Sequence, residues 1–267
     1  VKDRPATMML LEAEKRGEIA PGKTTIFEAT SGNTGIGLAM VCAVRGYDLI
    51  LCMSEAMSEE RKKILSALGA RLELTPKVHH TKGAKARVLE LLEDYPDHYY
   101  ILQHDNADNV LSHETGTAEE IWKQTDGKVA AFVAGLGTCG TLSGVAKAMR
   151  RKGANVHIVG VEPAEAPYYR TEHFEPHRIP GLVPGFTPKN YDPDLIDEIM
   201  DVPAEAAWAS VRELAKSEGI LAGISSGATA WAAREVASRP EFQGKIVVAI
   251  IADSGERYLS TEGLFEG

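Results

Sequence analysis

Short apolar runs alternate along this chain with longer amphipathic stretches, and two of the runs lead straight into a glycine-rich, hydroxyl-bearing turn with helical periodicity behind it. Runs of period two pack as strands, and the stretches of period 3.6 between them bury one stripe as helices. Parallel strands need a crossover of roughly a dozen residues, usually a helix, so this alternation predicts βα units around mainly parallel sheets. Strands are expected at residues 24–29, 47–53, 71–75, 99–104, 129–134, 156–161 and 246–252. The helices between them stop at Gly17, Gly46, Gly69, Gly153 and Gly219, each placed for the left-handed residue that closes a helix.

At roughly 150 residues per domain, 267 residues make one large domain or two modest ones. The polar stretch 104–109 is the best boundary, which divides the chain into a smaller part, 1–105, and a larger part, 106–267. Residues 163–193 are rich in proline and glycine and lack periodicity, as expected of a lid, a binding loop or a disordered excursion. Lysine and arginine total 29 against 38 acidic residues, a net charge of -9, which excludes a nonspecific binder of nucleic-acid backbone. An anionic ligand must instead be held by local geometry. Cys42, Cys52 and Cys139 are odd in number and lack CxxC spacing, which argues against a disulfide framework and for a reducing compartment. Apolar runs such as 246–252 fall far short of the roughly 20 residues that cross a bilayer, so a cytoplasmic protein is expected.

Three turns carry the chemistry. Thr30-Ser31-Gly32-Asn33-Thr34-Gly35 opens a helix after the 24–29 strand, and its backbone N–H groups and hydroxyls suit a carboxylate or a phosphate. Gly135-Leu136-Gly137-Thr138-Cys139-Gly140-Thr141 follows the 129–134 strand and fits G-x-G-x-x-G. With Glu162 about twenty residues further on, it imitates a dinucleotide fingerprint, yet its threonines suit a phosphate monoester equally well. Gly223-Ile224-Ser225-Ser226-Gly227-Ala228 precedes an alanine-rich helix. Taken singly, each turn could be no more than a capped connection, and Lys2-Asp3-Arg4 no more than a charged helix start.

Taken together and in order, Val-Lys-Asp-Arg at 1–4, Thr-Ser-Gly-Asn-Thr-Gly at 30–35, Gly-Thr-x-Gly-Thr at 137–141 and Gly-Ile-Ser-Ser-Gly-Ala at 223–228 resemble the cysteine synthase and cystathionine β-synthase family of pyridoxal-phosphate enzymes. The resemblance is nearest to its O-acetylserine sulfhydrylase branch and extends over 57–61, 103–122, 179–188 and 253–261. It implies the tryptophan-synthase-β fold (fold type II), two three-layer αβα domains with the cofactor in the cleft between them. It also implies a segment ahead of Lys2, including a strand and a Gly-Asn-Thr-Pro stretch. By resemblance, Lys2 would form an imine with pyridoxal 5'-phosphate and then act as acid and base. Asn33 would bind the cofactor's 3′ oxygen, and Gly137, Thr138, Cys139, Gly140 and Thr141 its phosphate. Ser225 would face the pyridine nitrogen. Thr30, Ser31, Gly32, Thr34 and Gln103 would hold the substrate carboxylate.

The implied reaction is β-replacement on an O-activated L-serine by sulfide or a thiol, with cysteine synthesis from O-acetylserine foremost and cystathionine synthesis from homocysteine next. A homodimer and a serine acetyltransferase partner are further implications. Two departures stand out: Cys139 where the family most often has glycine, and Pro180 and Pro184 in the 179–188 loop. Two rivals of other classes stay open at this point. A nicotinamide dehydrogenase would use Glu162 to grip a ribose, and a noncatalytic partner would bind the cofactor without turnover.

Overall fold

A computed structural model describes residues 1–30 and 32–266, apart from the side chains of His80 and Thr81. Two compact units emerge, Val1–Asn109 and Val110–Gly267. In the first, α1 (Asp3–Lys15), β1 (Thr25–Ala29), α2 (Asn33–Arg45), β2 (Asp48–Ser54), α3 (Glu59–Ala67), β3 (Arg71–Thr75), α4 (His80–Leu92) and β4 (His98–Tyr100) follow one another. Their four strands form a parallel sheet in the order β3-β2-β1-β4.

The period-two pattern sorts side chains to opposite faces of this sheet. Ile26, Leu49, Leu51 and Met53 pack with Met9 and Leu10 of α1 and Leu38 of α2. Phe27, Ala29, Ile50 and Cys52 pack with Ala84, Val88 and Leu91 of α4. The unit is thus three layers deep.

The chain passes from the first unit to the second within α5 (Ala107–Ser112) and continues through a π turn (His113–Thr117) and α6 (Ala118–Gln124). Beyond these come β5 (Val129–Gly135), α7 (Gly140–Arg151), β6 (His157–Pro163), α8 (Tyr168–Thr171), β7 (Glu198–Val202), α9 (Ala204–Glu218), α10 (Ile224–Ala237) and β8 (Ile246–Ala249). The sheet of the second unit, β7-β6-β5-β8, is also parallel. Ala131, Val133, Val159 and Val161 face α9 and α10, while Phe132, Ala134 and Ile158 face α6 and α7. Both units are therefore of the α/β class with helices on both faces of a parallel sheet.

Two expectations need correction, and one element is added. The strand expected at 99–104 ends at Tyr100, because Leu102 adopts a left-handed φ of 55° and its carbonyl closes a turn with the N–H groups of Asp105 and Asn106. The strand expected at 246–252 ends at Ala249, because the Ala252 N–H leaves the ladder and donates to Ser226 Oγ of α10 at 2.8 Å. Finally, β7 was not foreseen. The irregular region 163–193 also contains α8 and is anchored to the core through buried Ile179, Leu182 and Val183.

Candidate functional site

In the first unit, the chain leaves β1 and turns at Gly32, an extended N-cap, into α2. Thr30 Oγ1 accepts the Gly32 N–H at 3.2 Å, so the threonine shapes the turn. Thr34 is buried and donates to Gln103 Oε1 at 2.6 Å. Asn33 opens the helix and is half-buried. Ser31 lies outside the described residues. Lys2, half-buried, caps α1, and its carbonyl accepts from the Ala6 N–H. A Cβ on Gly37 would stand 2.9 Å from that carbonyl oxygen, so glycine lets α2 approach the backbone of the lysine one turn from the Gly32–Asn33 helix start. Lys2, Thr30, Gly32, Asn33, Thr34 and Gln103 thus belong to one unit, on neighbouring elements.

Sequence reasoning missed Glu28, which is 2% exposed on β1. Its carboxyl accepts from both the backbone N–H and the side-chain amide of Gln103 at 3.4 Å, and burial pushes its pKa up to about 7. Asn109 Nδ2 donates to the Gln103 carbonyl at 2.7 Å, so Gln103 is held from three sides. The signal was a lone acid in an apolar strand that feeds a glycine-rich turn. His104, beside Gln103, is driven down to about 4 by burial and by the charges of Lys85 and Lys2.

In the second unit, β5 runs into the Gly135–Thr141 turn and α7 starts at Gly140. A Cβ on Gly137 would lie 2.3 Å from the Gly181 carbonyl oxygen, so only glycine fits where the irregular region crosses the turn. Thr138 is buried, and its Oγ1 accepts the Gly140 N–H at 3.4 Å. Thr141 is half-buried, with Oγ1 3.2 Å from His113 Nε2. Cys139 sits at φ 62°, ψ -1°, left-handed, with its side chain buried and Sγ 3.3 Å from Tyr169 Oη. First-turn N–H groups, two threonine hydroxyls and a backbone bare of Cβ at Gly137 make a donor set that fits a phosphate dianion.

Ser225 lies in the first turn of α10 and is 9% exposed. Its neighbour Ser226 is fully buried and accepts the Ala252 N–H, so that hydroxyl ties α10 to the segment after β8. Glu162, on β6, is fully buried. It accepts the Tyr169 N–H at 2.7 Å and lies 3.6 Å from Arg170, and burial raises its pKa to about 7. A carboxylate used to anchor α8 is not placed to grip a ribose.

Parallel α/β units with hydroxyl-bearing glycine turns at helix starts, one of them beside a lysine, suit an enzyme class that binds a small phosphorylated ligand, and the Glu162 contacts to Tyr169 and Arg170 weigh against the dinucleotide reading. The chain belongs to the pyridoxal-phosphate-dependent enzyme family, whose model matches residues 1–253. A cysteine synthase of Haemophilus influenzae is 46% identical over 275 residues, covering 100% of this chain and 86% of the relative. Among solved structures, a cysteine synthase of Entamoeba histolytica superposes with a TM-score of 0.96 at 39% identity, covering 100% of this chain and 80% of the other. An O-ureido-L-serine synthase superposes at 0.94 with 42% identity, covering 100% and 84%. Among the described residues no helix is long and apolar enough to cross a membrane.

Proposed function

We propose that this chain catalyses pyridoxal-phosphate-dependent β-replacement, making L-cysteine from O-acetylserine and sulfide. The observation that carries the reading is the adjacency of Lys2 to an α2 helix start that carries the Thr34–Gln103 pair. A proton-carrying amine and a receptor for an amino-acid carboxylate then lie on neighbouring elements. The cofactor, when bound, supplies the electron sink for loss of the α-proton and of the β-substituent.

Lys2 would hold the cofactor and then carry the α-proton at Nζ. Thr30, Ser31, Gly32, Thr34 and Gln103 would fix the substrate carboxylate, and Asn33 would orient the cofactor's 3′ oxygen. Gly137, Thr138, Cys139, Gly140 and Thr141 would bind its phosphate. Ser225, a neutral hydroxyl, would face the pyridine nitrogen and leave it unprotonated, which favours elimination over transamination. Residues 1–105 would thus serve mainly the substrate, and 106–267 the phosphate. A cytoplasmic, reducing setting accords with three free cysteines, two of which, Cys42 and Cys52, are pushed up to about 12 by burial, which disfavours the reactive thiolate. A homodimer and a serine acetyltransferase partner complete the reading, testable by light scattering and by co-purification.

The decisive experiment is Lys2→Ala. Turnover should fall by roughly 10³-fold or more, the scale of a lost general base, while phosphate-anchored cofactor still copurifies. Near-normal replacement activity in that variant would overturn the proposal. Competition between sulfide and homocysteine in the parent then decides between cysteine and cystathionine synthesis.

A further inference from the structure

Between α5 and α6 the backbone widens into a π turn, in which the Ala118 N–H bonds the His113 carbonyl five residues back. Such turns are uncommon and often mark functional positions. His113 is completely buried at its start, and Thr117 is 6% exposed at its end. His113 Nδ1 lies 2.8 Å from Thr117 Oγ1, and Nε2 lies 3.2 Å from Thr141 Oγ1. The imidazole thus bridges a hydroxyl of the π turn and a hydroxyl of the phosphate turn.

Another close approach fixes this bridge. A Cβ on Gly144 of α7 would stand 2.4 Å from the Val110 carbonyl oxygen, 2.7 Å from His113 Cβ and 2.9 Å from the Glu114 nitrogen. Glycine there brings α7 directly onto the π turn, so the helix that begins at the phosphate turn is set at a fixed distance from the imidazole.

Donor counting gives the bridge a direction. A hydroxyl has one hydrogen to give and two lone pairs, and an imidazole with one proton has one donor and one acceptor. If Thr141 is to give its hydrogen to a phosphate oxygen, its own oxygen must receive from His113 Nε2–H. Nδ1 is then the acceptor, and Thr117 is the group that donates to it. With the opposite tautomer, Thr141 would donate to Nε2 and its hydrogen would be withdrawn from the ligand.

We propose that Thr117 and His113 form a hydrogen-bond relay that holds the Thr141 hydroxyl as a donor to the cofactor phosphate, so both are positioning residues for phosphate recognition. The inference rests on the phosphate-turn reading above.

The test compares apparent dissociation constants of the apoprotein for pyridoxal 5'-phosphate and for pyridoxal, which lacks the phosphate. Thr141→Val should cut the preference for the phosphorylated form by about tenfold, the equivalent of one hydrogen bond of about 1.4 kcal/mol. Thr117→Val, nearly isosteric, should lower the same preference several-fold without changing pyridoxal affinity, and Thr117→Ser should restore it. The double variant should be no worse than Thr141→Val alone, since both changes break one relay. The ³¹P shift of the bound phosphate should move in Thr117→Val as it does in Thr141→Val.

An unchanged preference in Thr117→Val, or effects that multiply in the double variant, would overturn the relay. Equal loss of pyridoxal and pyridoxal 5'-phosphate affinity would reduce Thr117 to a packing role and overturn it too. If Thr141→Val itself leaves the preference intact, the phosphate-turn reading fails instead. The threonine series decides the matter even where His113→Ala does not fold.

Discussion

Cys139 carries the most unusual backbone of the site, a left-handed conformation at the residue before α7. For a residue with a Cβ this costs roughly 1–2 kcal/mol relative to glycine. The structure offsets the strain by burying the side chain against Tyr169, whose hydroxyl in turn donates to the Gly137 carbonyl at 3.2 Å. Cys139→Gly removes the strain, but it also removes a small buried side chain and adds backbone freedom to the unfolded chain, each worth roughly 0.5–1 kcal/mol. The terms nearly cancel, so chemical denaturation should give a stability within about 1 kcal/mol of the parent, with cofactor affinity kept. Cys139→Val places a β-branched residue at positive φ and should cost more than about 2 kcal/mol. A stable valine variant would show that the left-handed turn is not required, and a large loss of rate in a folded glycine variant would show that the thiol has a chemical role. The cysteine stood out in the sequence as a departure at a glycine position; the strain did not, because φ follows from how the irregular region and Tyr169 press on the turn. Glu28 and His113 escaped notice for a related reason. Their partners, Gln103 and Thr141, lie 75 and 28 residues away, and no local pattern announces a pairing made by the fold.

Among the elements, those with strong local periodicity and a capping glycine were readable, and those defined by long-range pairing were not. The glycine-rich turns at 30–35 and 135–141 fall between a strand and a helix as expected, because glycine, hydroxyl and strand signals coincide within a dozen residues. The edge strand β7 is the counterexample. Its residues, Glu198 to Val202, are mostly half-buried and two are acidic, so it shows neither alternation nor an apolar run. It is held instead by its pairing with β6 and by Glu198, whose carboxylate accepts two 2.8 Å bonds from Arg239, just beyond α10, and lies 2.9 Å from His157 Nε2 of β6. The Arg239 hydrogen bonds lower the Glu198 pKa from 4.5 to about 2, with His157 assisting. A carboxyl depressed in the folded state stabilises the fold fully above its unfolded pKa, and that contribution is lost as pH falls from about 4.5 toward 2. Arg239→Met should therefore destabilise the protein at pH 6, with the difference from the parent shrinking across that acid window. Urea titrations at pH 6, 4 and 3 would check this. A gap between parent and variant that is constant with pH would mean that Arg239 acts through packing alone.

At the scale of the whole chain, each unit has a parallel sheet with its own buried core on both faces, which is what an independently cooperative folding unit requires. The proposed cofactor groups are divided between them: Lys2 and Asn33 belong to the first unit, the phosphate turn and Ser225 to the second. Any ligand stabilises the folded form of whatever binds it, by about 2.7 kcal/mol at a hundredfold excess over its dissociation constant. With the 137–141 turn as the proposed phosphate site and the 30–35 turn as the proposed carboxylate site, inorganic phosphate at saturation should slow hydrogen exchange in α7 and β5 and leave α1, β1 and α2 unchanged. Pyridoxal 5'-phosphate adds the groups that Lys2 and Asn33 would hold, and should slow exchange in both units. Lys2→Ala separates the contributions. With the Lys2 amine gone and the proposed phosphate-binding residues kept, protection of α7 and β5 should persist while that of α1 falls back toward the ligand-free value. Hydrogen-exchange mass spectrometry resolves these segments individually. Protection confined to the second unit when the parent binds pyridoxal 5'-phosphate would remove Lys2 and Asn33 from the cofactor site, and protection of α1 by inorganic phosphate alone would show that the first unit itself takes up phosphate.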